Sequence, residues 1–167
     1  MYVGNGWAEI EGQWYYYADG SGAVKTGWAK VGGKWYYLRP GSGAMATGWQ
    51  SVDGTWYYLG DSGAMRTGWL SLGGKWYYLK GSGAMAEGWA KAGGKWYYLR
   101  PGSGVMATGW QSVDGTWYYL GDSGAMRTGW LSLGGKWYYL KGSGAMATGD
   151  CVIGGKSHFF DGSGAMI

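Results

Sequence analysis

Trp28-Ala29-Lys30-Val31-Gly32-Gly33-Lys34-Trp35-Tyr36-Tyr37-Leu38 is the stretch on which the fold turns. Two short aromatic-rich runs flank a Gly-Gly pair. An insert of that kind predicts a β-hairpin, because the type I′ turn needs positive φ at both central positions. Asp53-Gly54 and Asp114-Gly115 hold the same place in later copies. With Gly32-Gly33 as the loop, Val31 faces Lys34, Lys30 faces Trp35 and Trp28 faces Tyr37. Side chains alternate along a strand, so Trp28, Lys30, Trp35 and Tyr37 share one face. Ala29, Val31, Tyr36 and Leu38 share the other. Arg39-Pro40-Gly41-Ser42-Gly43 follows with turn chemistry.

The same pattern runs through the chain. A Gly-Trp pair recurs at Trp7, Trp28, Trp49, Trp69, Trp89, Trp110 and Trp130, in steps of 20 or 21 residues. A second Trp follows seven residues later, at Trp14, Trp35, Trp56, Trp76, Trp96, Trp117 and Trp137, and these two series account for all 14 tryptophans. Each unit ends in a Gly-Ala-Met-like element. The units lie near 6–26, 27–47, 48–67, 68–87, 88–108, 109–128 and 129–148, and residues 149–167 form a degenerate cap. There Asp150 replaces the first Trp, and Ser157-His158-Phe159 replaces Trp-Tyr-Tyr. Residues 27–86 match 88–147 except at Val31/Ala92 and Ala44/Val105. Such a near-copy points to recent duplication or to deliberate construction of a repeat scaffold.

Composition excludes several classes. With 38 Gly in 167 residues, long helices are disfavoured, since each Gly costs about 1 kcal/mol relative to Ala. Two Pro and no Gly triplet period exclude collagen, and the aromatic content argues against disorder. The formal charge of +4 is scattered, so no nucleic-acid partner is expected. No apolar run approaches the roughly 20 residues of a membrane helix, so no membrane insertion is expected. The single Cys151 forms no intrachain disulfide, and the lone His158 lacks co-ligands for a metal. The opening Met1-Tyr2-Val3-Gly4-Asn5-Gly6 is not a signal peptide. Asp53, Asp61, Asp114 and Asp122 sit at repeated turns, where Asp serves turn geometry rather than acid–base chemistry. No enzyme is expected.

A lone two-stranded hairpin is marginal in water. The units must therefore stack on one another, as in a solenoid, with the linker Ala and Met filling gaps. A core has no need of this much Trp, whose buried N–H asks for a partner. Two Trp and a Tyr on one face of each hairpin are better explained as a partly open aromatic cage between units. A cage of ring faces with few charges suits a quaternary ammonium, held by cation–π attraction worth about 0.5–2 kcal/mol per contact. Useful affinity then comes from several cages on one polymeric ligand. Tyr36-type residues, on the face opposite Trp35, are read as core, and the methionines as packing. Lys30, Lys34 and Arg66 are read as solvated, with a minor part in attracting phosphate.

Thr47-Gly48-Trp49-Gln50-Ser51-Val52-Asp53-Gly54-Thr55-Trp56-Tyr57-Tyr58-Leu59, followed by Gly63-Ala64-Met65, resembles the choline-binding (cell-wall-binding) repeat of pneumococcal autolysins, phage lysins and surface proteins. The resemblance covers essentially the whole chain. It implies an all-β, left-handed solenoid of stacked hairpins, about three per turn. It implies no cofactor, and choline as ligand, bound as phosphocholine on teichoic acids at a secreted, cell-wall-associated location. In the family two Trp of one hairpin meet a Tyr of the next, and a Met-like residue often completes the wall. By position, Trp7 and Trp14 take Tyr37, Trp28 and Trp35 take Tyr58, and Trp49 and Trp56 take Tyr78. Trp69 and Trp76 take Tyr98, Trp89 and Trp96 take Tyr119, and Trp110 and Trp117 take Tyr139. Trp130 and Trp137 meet Phe159 instead. Alternation selects the second Tyr of each pair, and the first stays open as the alternative. Glucan-binding repeats share the Gly-Trp and Tyr-Tyr frame, so a glucan-binding array is the second reading. A homodimer through the terminal units also stays open.

Overall fold

A computed structural model describes residues 4–18 and 20–167; the first three residues of the N-terminal stretch discussed above lie outside it. The described chain is all-β, with sixteen five-residue strands in eight two-stranded antiparallel hairpins. It forms two compact units, 1–86 and 87–167.

The first unit holds β1 (Gly6–Ile10) with β2 (Gln13–Tyr17), β3 (Gly27–Val31) with β4 (Lys34–Leu38), β5 (Gly48–Val52) with β6 (Thr55–Leu59), and β7 (Gly68–Leu72) with β8 (Lys75–Leu79). The second holds β9 (Gly88–Ala92) with β10 (Lys95–Leu99), β11 (Gly109–Val113) with β12 (Thr116–Leu120), β13 (Gly129–Leu133) with β14 (Lys136–Leu140), and β15 (Gly149–Ile153) with β16 (Lys156–Phe160). The register is the one the turn dictates: Val31 pairs with Lys34, Lys30 with Trp35 and Trp28 with Tyr37. Gly32 and Gly33 take φ of 56° and 79°, and Asp53 takes 50° ahead of Gly54 at 76°. Asp tolerates this left-handed conformation better than most side chains, which is why it alternates with Gly there.

The core of each unit is built from the last residue of each hairpin and the linker behind it. Leu38, Leu59 and Leu79 are fully buried in the first unit, as are Leu99, Leu120 and Leu140 in the second. Each such leucine contributes about 2 kcal/mol by removal from water. The methionine of each linker pairs back onto this residue, as Met45 does on Leu38 and Met65 on Leu59. The linkers also tie neighbouring hairpins together. Met65 N–H donates to the Trp35 carbonyl of the preceding hairpin at 2.8 Å, and Met146 N–H does so to Trp117 at 2.8 Å. Within each unit, successive hairpins are therefore locked together by a backbone bond at the second Trp, which holds that indole in place beside the linker.

Candidate functional site

The tryptophans are not sequestered. Trp35, Trp56, Trp76, Trp96, Trp117 and Trp137 are each more than 40% exposed, a large unfavourable surface for residues that packing alone would hide. The first Trp of each pair is half-buried, apart from the exposed Trp130, and carries most of the ring contacts. Trp28 lies 5.1 Å from Tyr37 of its own hairpin, 4.8 Å from Tyr57 of the next and 6.4 Å from Trp35. Trp28 and Trp35 stand at 88° to each other, and Trp28 and Tyr57 at 69°.

Cavities open where these rings converge. One of about 240 Å³ is lined by Trp28, Trp35, Tyr57, Met65 and Ser82. A second, of about 340 Å³, is lined by Trp89, Trp96, Tyr118, Met126 and Ser143. A third, of about 310 Å³, is lined by Trp110, Trp117, Tyr138, Met146 and Ser163. These volumes fall near the low end of about 300–1,000 Å³ for small-molecule sites, a size that suits a small ligand.

The wall supplied by the following hairpin is the first Tyr of its pair, not the second. Tyr57 faces Trp28, Tyr36 faces Trp7 (4.8 Å), Tyr77 faces Trp49 (5.1 Å), Tyr118 faces Trp89 (4.8 Å) and Tyr138 faces Trp110 (5.1 Å). Tyr37, Tyr58, Tyr78, Tyr98, Tyr119 and Tyr139 instead pack 5.0–5.2 Å from the first Trp of their own hairpins. Alternation correctly puts the second Tyr on the Trp face of its own hairpin. Stacking, however, turns the opposite face of each hairpin toward the Trp face of its predecessor, and that face carries Tyr36, Tyr57 and their equivalents. Of these residues, read as core above, Tyr57, Tyr118 and Tyr138 line the three cavities.

Three further features complete the surroundings of these cavities. Met65 lines a cavity while its Sδ presses against Gly83, where a Cβ would lie 2.2 Å from the sulfur. A serine of the linker two hairpins on, such as Ser82 or Ser143, closes the fifth side. Its recurrence in every Gly-Ser-Gly linker was the available signal. Lys30, read as solvated, holds its ammonium 5.8 Å from the Trp35 ring, as Lys91 does over Trp96.

At the last hairpin His158, not Phe159, meets Trp130, at 5.0 Å. His158 occupies the first-Tyr position, while Phe159 is 48% exposed. The smaller imidazole has less ring face to offer. His158→Tyr is expected to strengthen ligand binding beside Trp130 and Trp137 severalfold, measured by the shift of their indole N–H resonances on titration. No gain would show that the ring at 158 does not contact ligand.

Among the described residues no group of three or more His, Cys, Asp or Glu could hold a metal, and no helix is long and apolar enough to cross a membrane.

The choline-binding repeat model matches residues 5–47, 46–87, 67–108, 107–150 and 127–167. No curated protein sequence matches the chain. Among solved structures, CbpJ from Streptococcus pneumoniae is 42% identical over 98% of this chain and 58% of its own length, with a TM-score of 0.89. Choline binding protein F from the same organism, solved with a peptidoglycan analogue, is 45% identical over 93% of this chain and 56% of its own, with a TM-score of 0.86. The phage Cp-1 endolysin, solved with choline, is 34% identical over 73% of this chain and 37% of its own, with a TM-score of 0.53. The chain thus spans little more than half the length of these two pneumococcal proteins. On the repeat match along nearly all of its length, the chain belongs to the choline-binding repeat family.

Proposed function

We propose that the chain is a non-catalytic attachment module that binds choline in the cages between successive hairpins, presented as phosphocholine on the teichoic acids of a bacterial cell wall. The observation that carries this reading is the angle between the rings. Trp28 with Trp35 and Tyr57, and Trp49 with Trp56 (85°) and Tyr77 (66°), meet near right angles. Rings set at 66–88° to the first Trp leave a recess walled on several sides, which suits a near-spherical trimethylammonium drawn to the negative ring faces. A pyranose chair stacks its C–H face on one broad aromatic platform, an arrangement that a recess walled on several sides favours less than a compact cation. The methionine sulfur adds a polarizable fourth wall.

Single cages of this kind bind weakly, and the repetition supplies avidity on a polymer. Retention on a diethylaminoethyl support with release by free choline is the expected behaviour. Choline in the millimolar range should also raise the melting temperature in proportion to the logarithm of its concentration, because it binds the folded state. Release by dextran, with no thermal response to choline, would instead establish the glucan reading.

A further inference from the structure

A fourth cavity, of about 650 Å³, adjoins the cage of Trp28 and Trp35 and shares Trp35 and Met65 with it. Its other walls are Lys34 from the turn end of the second hairpin, and Gly60, Asp61, Ser62 and Arg66 from the linker behind the third. Two cations therefore stand beside a cage for a cation, which is an odd arrangement if choline alone is the ligand. Every position lining this cavity recurs unchanged 61 residues further on, Lys95 and Arg127 included.

The last linker shows what such a corner can hold. There Asp161 stands where Gly60 stands in the third. Both linkers close with the same backbone bonds, Gly60 N–H to Ala64 O (2.9 Å) and Gly63 N–H to Gly60 O (2.8 Å), against Asp161 N–H to Ala165 O (2.9 Å) and Gly164 N–H to Asp161 O (2.9 Å). The Asp161 carboxylate accepts from Ser163 N–H (2.8 Å), Ser163 O–H (2.6 Å) and Ala165 N–H (3.0 Å). The Ser163 hydroxyl and these amides, with Lys136 more weakly, hold the Asp161 carboxyl below the usual carboxylate range. Lys136 sits at the turn end of its hairpin as Lys34 does. In the third linker Gly60 leaves this nest without a carboxylate, and no hydrogen bond engages the Ser62 and Ala64 amides; in the copy 61 residues on, the Ala125 amide meets only the Ser123 hydroxyl, at 3.5 Å. Converging amides of this kind bind anions.

The geometry points to a phosphate subsite made by the Ser62 and Ala64 amides, the Ser62 hydroxyl, Lys34 and Arg66, so that one phosphocholine puts its cation in the cage and its phosphate in the adjoining cavity. The inference rests on the choline reading above. The Asp61 carboxylate lines the same cavity and opposes the anion, leaving Lys34 and Arg66 one positive charge in excess. A cation recurs at this corner in seven of the eight linkers: Arg39, Lys80, Arg100 and Lys141 stand at its start, and Lys25, Arg66 and Arg127 at its end, while the last linker has Asp161 and Ile167 there.

Titration of the full chain with choline, phosphocholine and inorganic phosphate, followed by amide resonances, tests it. Phosphocholine should bind the cages beside these cavities about fivefold tighter than choline, the gain of two exposed charge pairs. The Ser62 and Ala64 amides should move with phosphocholine and with phosphate, and not with choline. Gly60→Asp together with Gly121→Asp fills the nest from within. A Cβ at Gly60 would meet Ala64 O at 3.6 Å and Arg66 Cδ at 3.7 Å, both ordinary contacts. That variant should bring the phosphocholine-to-choline ratio to about one while retaining choline binding, and Asp61→Asn should raise it. Equal affinities in the unaltered chain, or a ratio unmoved by the filled nest, overturns the subsite. If choline fails to bind while phosphate still moves the two amides, the cage reading fails and the subsite stands.

Discussion

Trp35→Ala is expected to lower choline affinity at its own cage by about tenfold while costing only about 1 kcal/mol of stability. Trp28→Ala is expected to cost the same affinity and about 2–3 kcal/mol. The difference follows from the contacts. Trp35 is 41% exposed and presents a ring face to the cavity, so its removal takes mainly a cage wall. Trp28 touches Tyr37, Tyr57 and Trp35, so its removal also opens the seam between the second and third hairpins. Thermal unfolding without ligand measures the stability terms. The response of the remaining indole N–H resonances to choline measures the cage, which a chain-wide average over several sites would hide. Equal stability losses with an unchanged ligand response would show that the rings only glue hairpins together.

The second large effect is expected at a glycine. Gly83 has φ of 86°, and a Cβ there would lie 2.2 Å from Met65 Sδ and 2.6 Å from its Cε. Gly83→Ala therefore carries about 1 kcal/mol of backbone strain and displaces Met65 from the wall of the Trp28 cage, for a total of about 2–3 kcal/mol. The methionine stem is flexible and yields before the backbone does, because Met65 N–H is held by the Trp35 carbonyl. Met65→Ala in the same chain should remove the overlap and leave the strain, so the two substitutions should couple by about 1 kcal/mol in a double-mutant cycle. Additive losses would mean that Met65 does not rest on Gly83. Gly63 against Met45, Gly124 against Met106, Gly144 against Met126 and Gly164 against Met146 repeat the contact. One substitution thus tests a packing rule used along each unit.

Both predictions bear on why glycine and methionine share each linker. The absent Cβ lets the sulfur settle against the next linker, and the sulfur then walls the cage. Reading methionine as packing captured half of this. Its contact with ligand space depends on where the next linker passes, and that is not a local property.

What the sequence determined by itself is the hairpin: its turn, its register and the division of its side chains between two faces. All three follow from local rules, positive φ at a two-residue loop and a side-chain period of two, and Gly32-Gly33, Asp53-Gly54 and the Trp28–Tyr37 pairing obey them. The paired tryptophans likewise announced a binding surface, since their number exceeds what a core needs. The tertiary structure alone decided which rings meet across hairpins. Tyr57 rather than Tyr58, His158 rather than Phe159, and Ser82 from two hairpins on reach the Trp rings because the Met65-to-Trp35 type of backbone bond sets one hairpin's back against another's front. Alternation within a strand says which residues are companions on a face. It carries no term for what that face meets, because hairpin-to-hairpin contact is set by linker path and core volume rather than by neighbours in the chain.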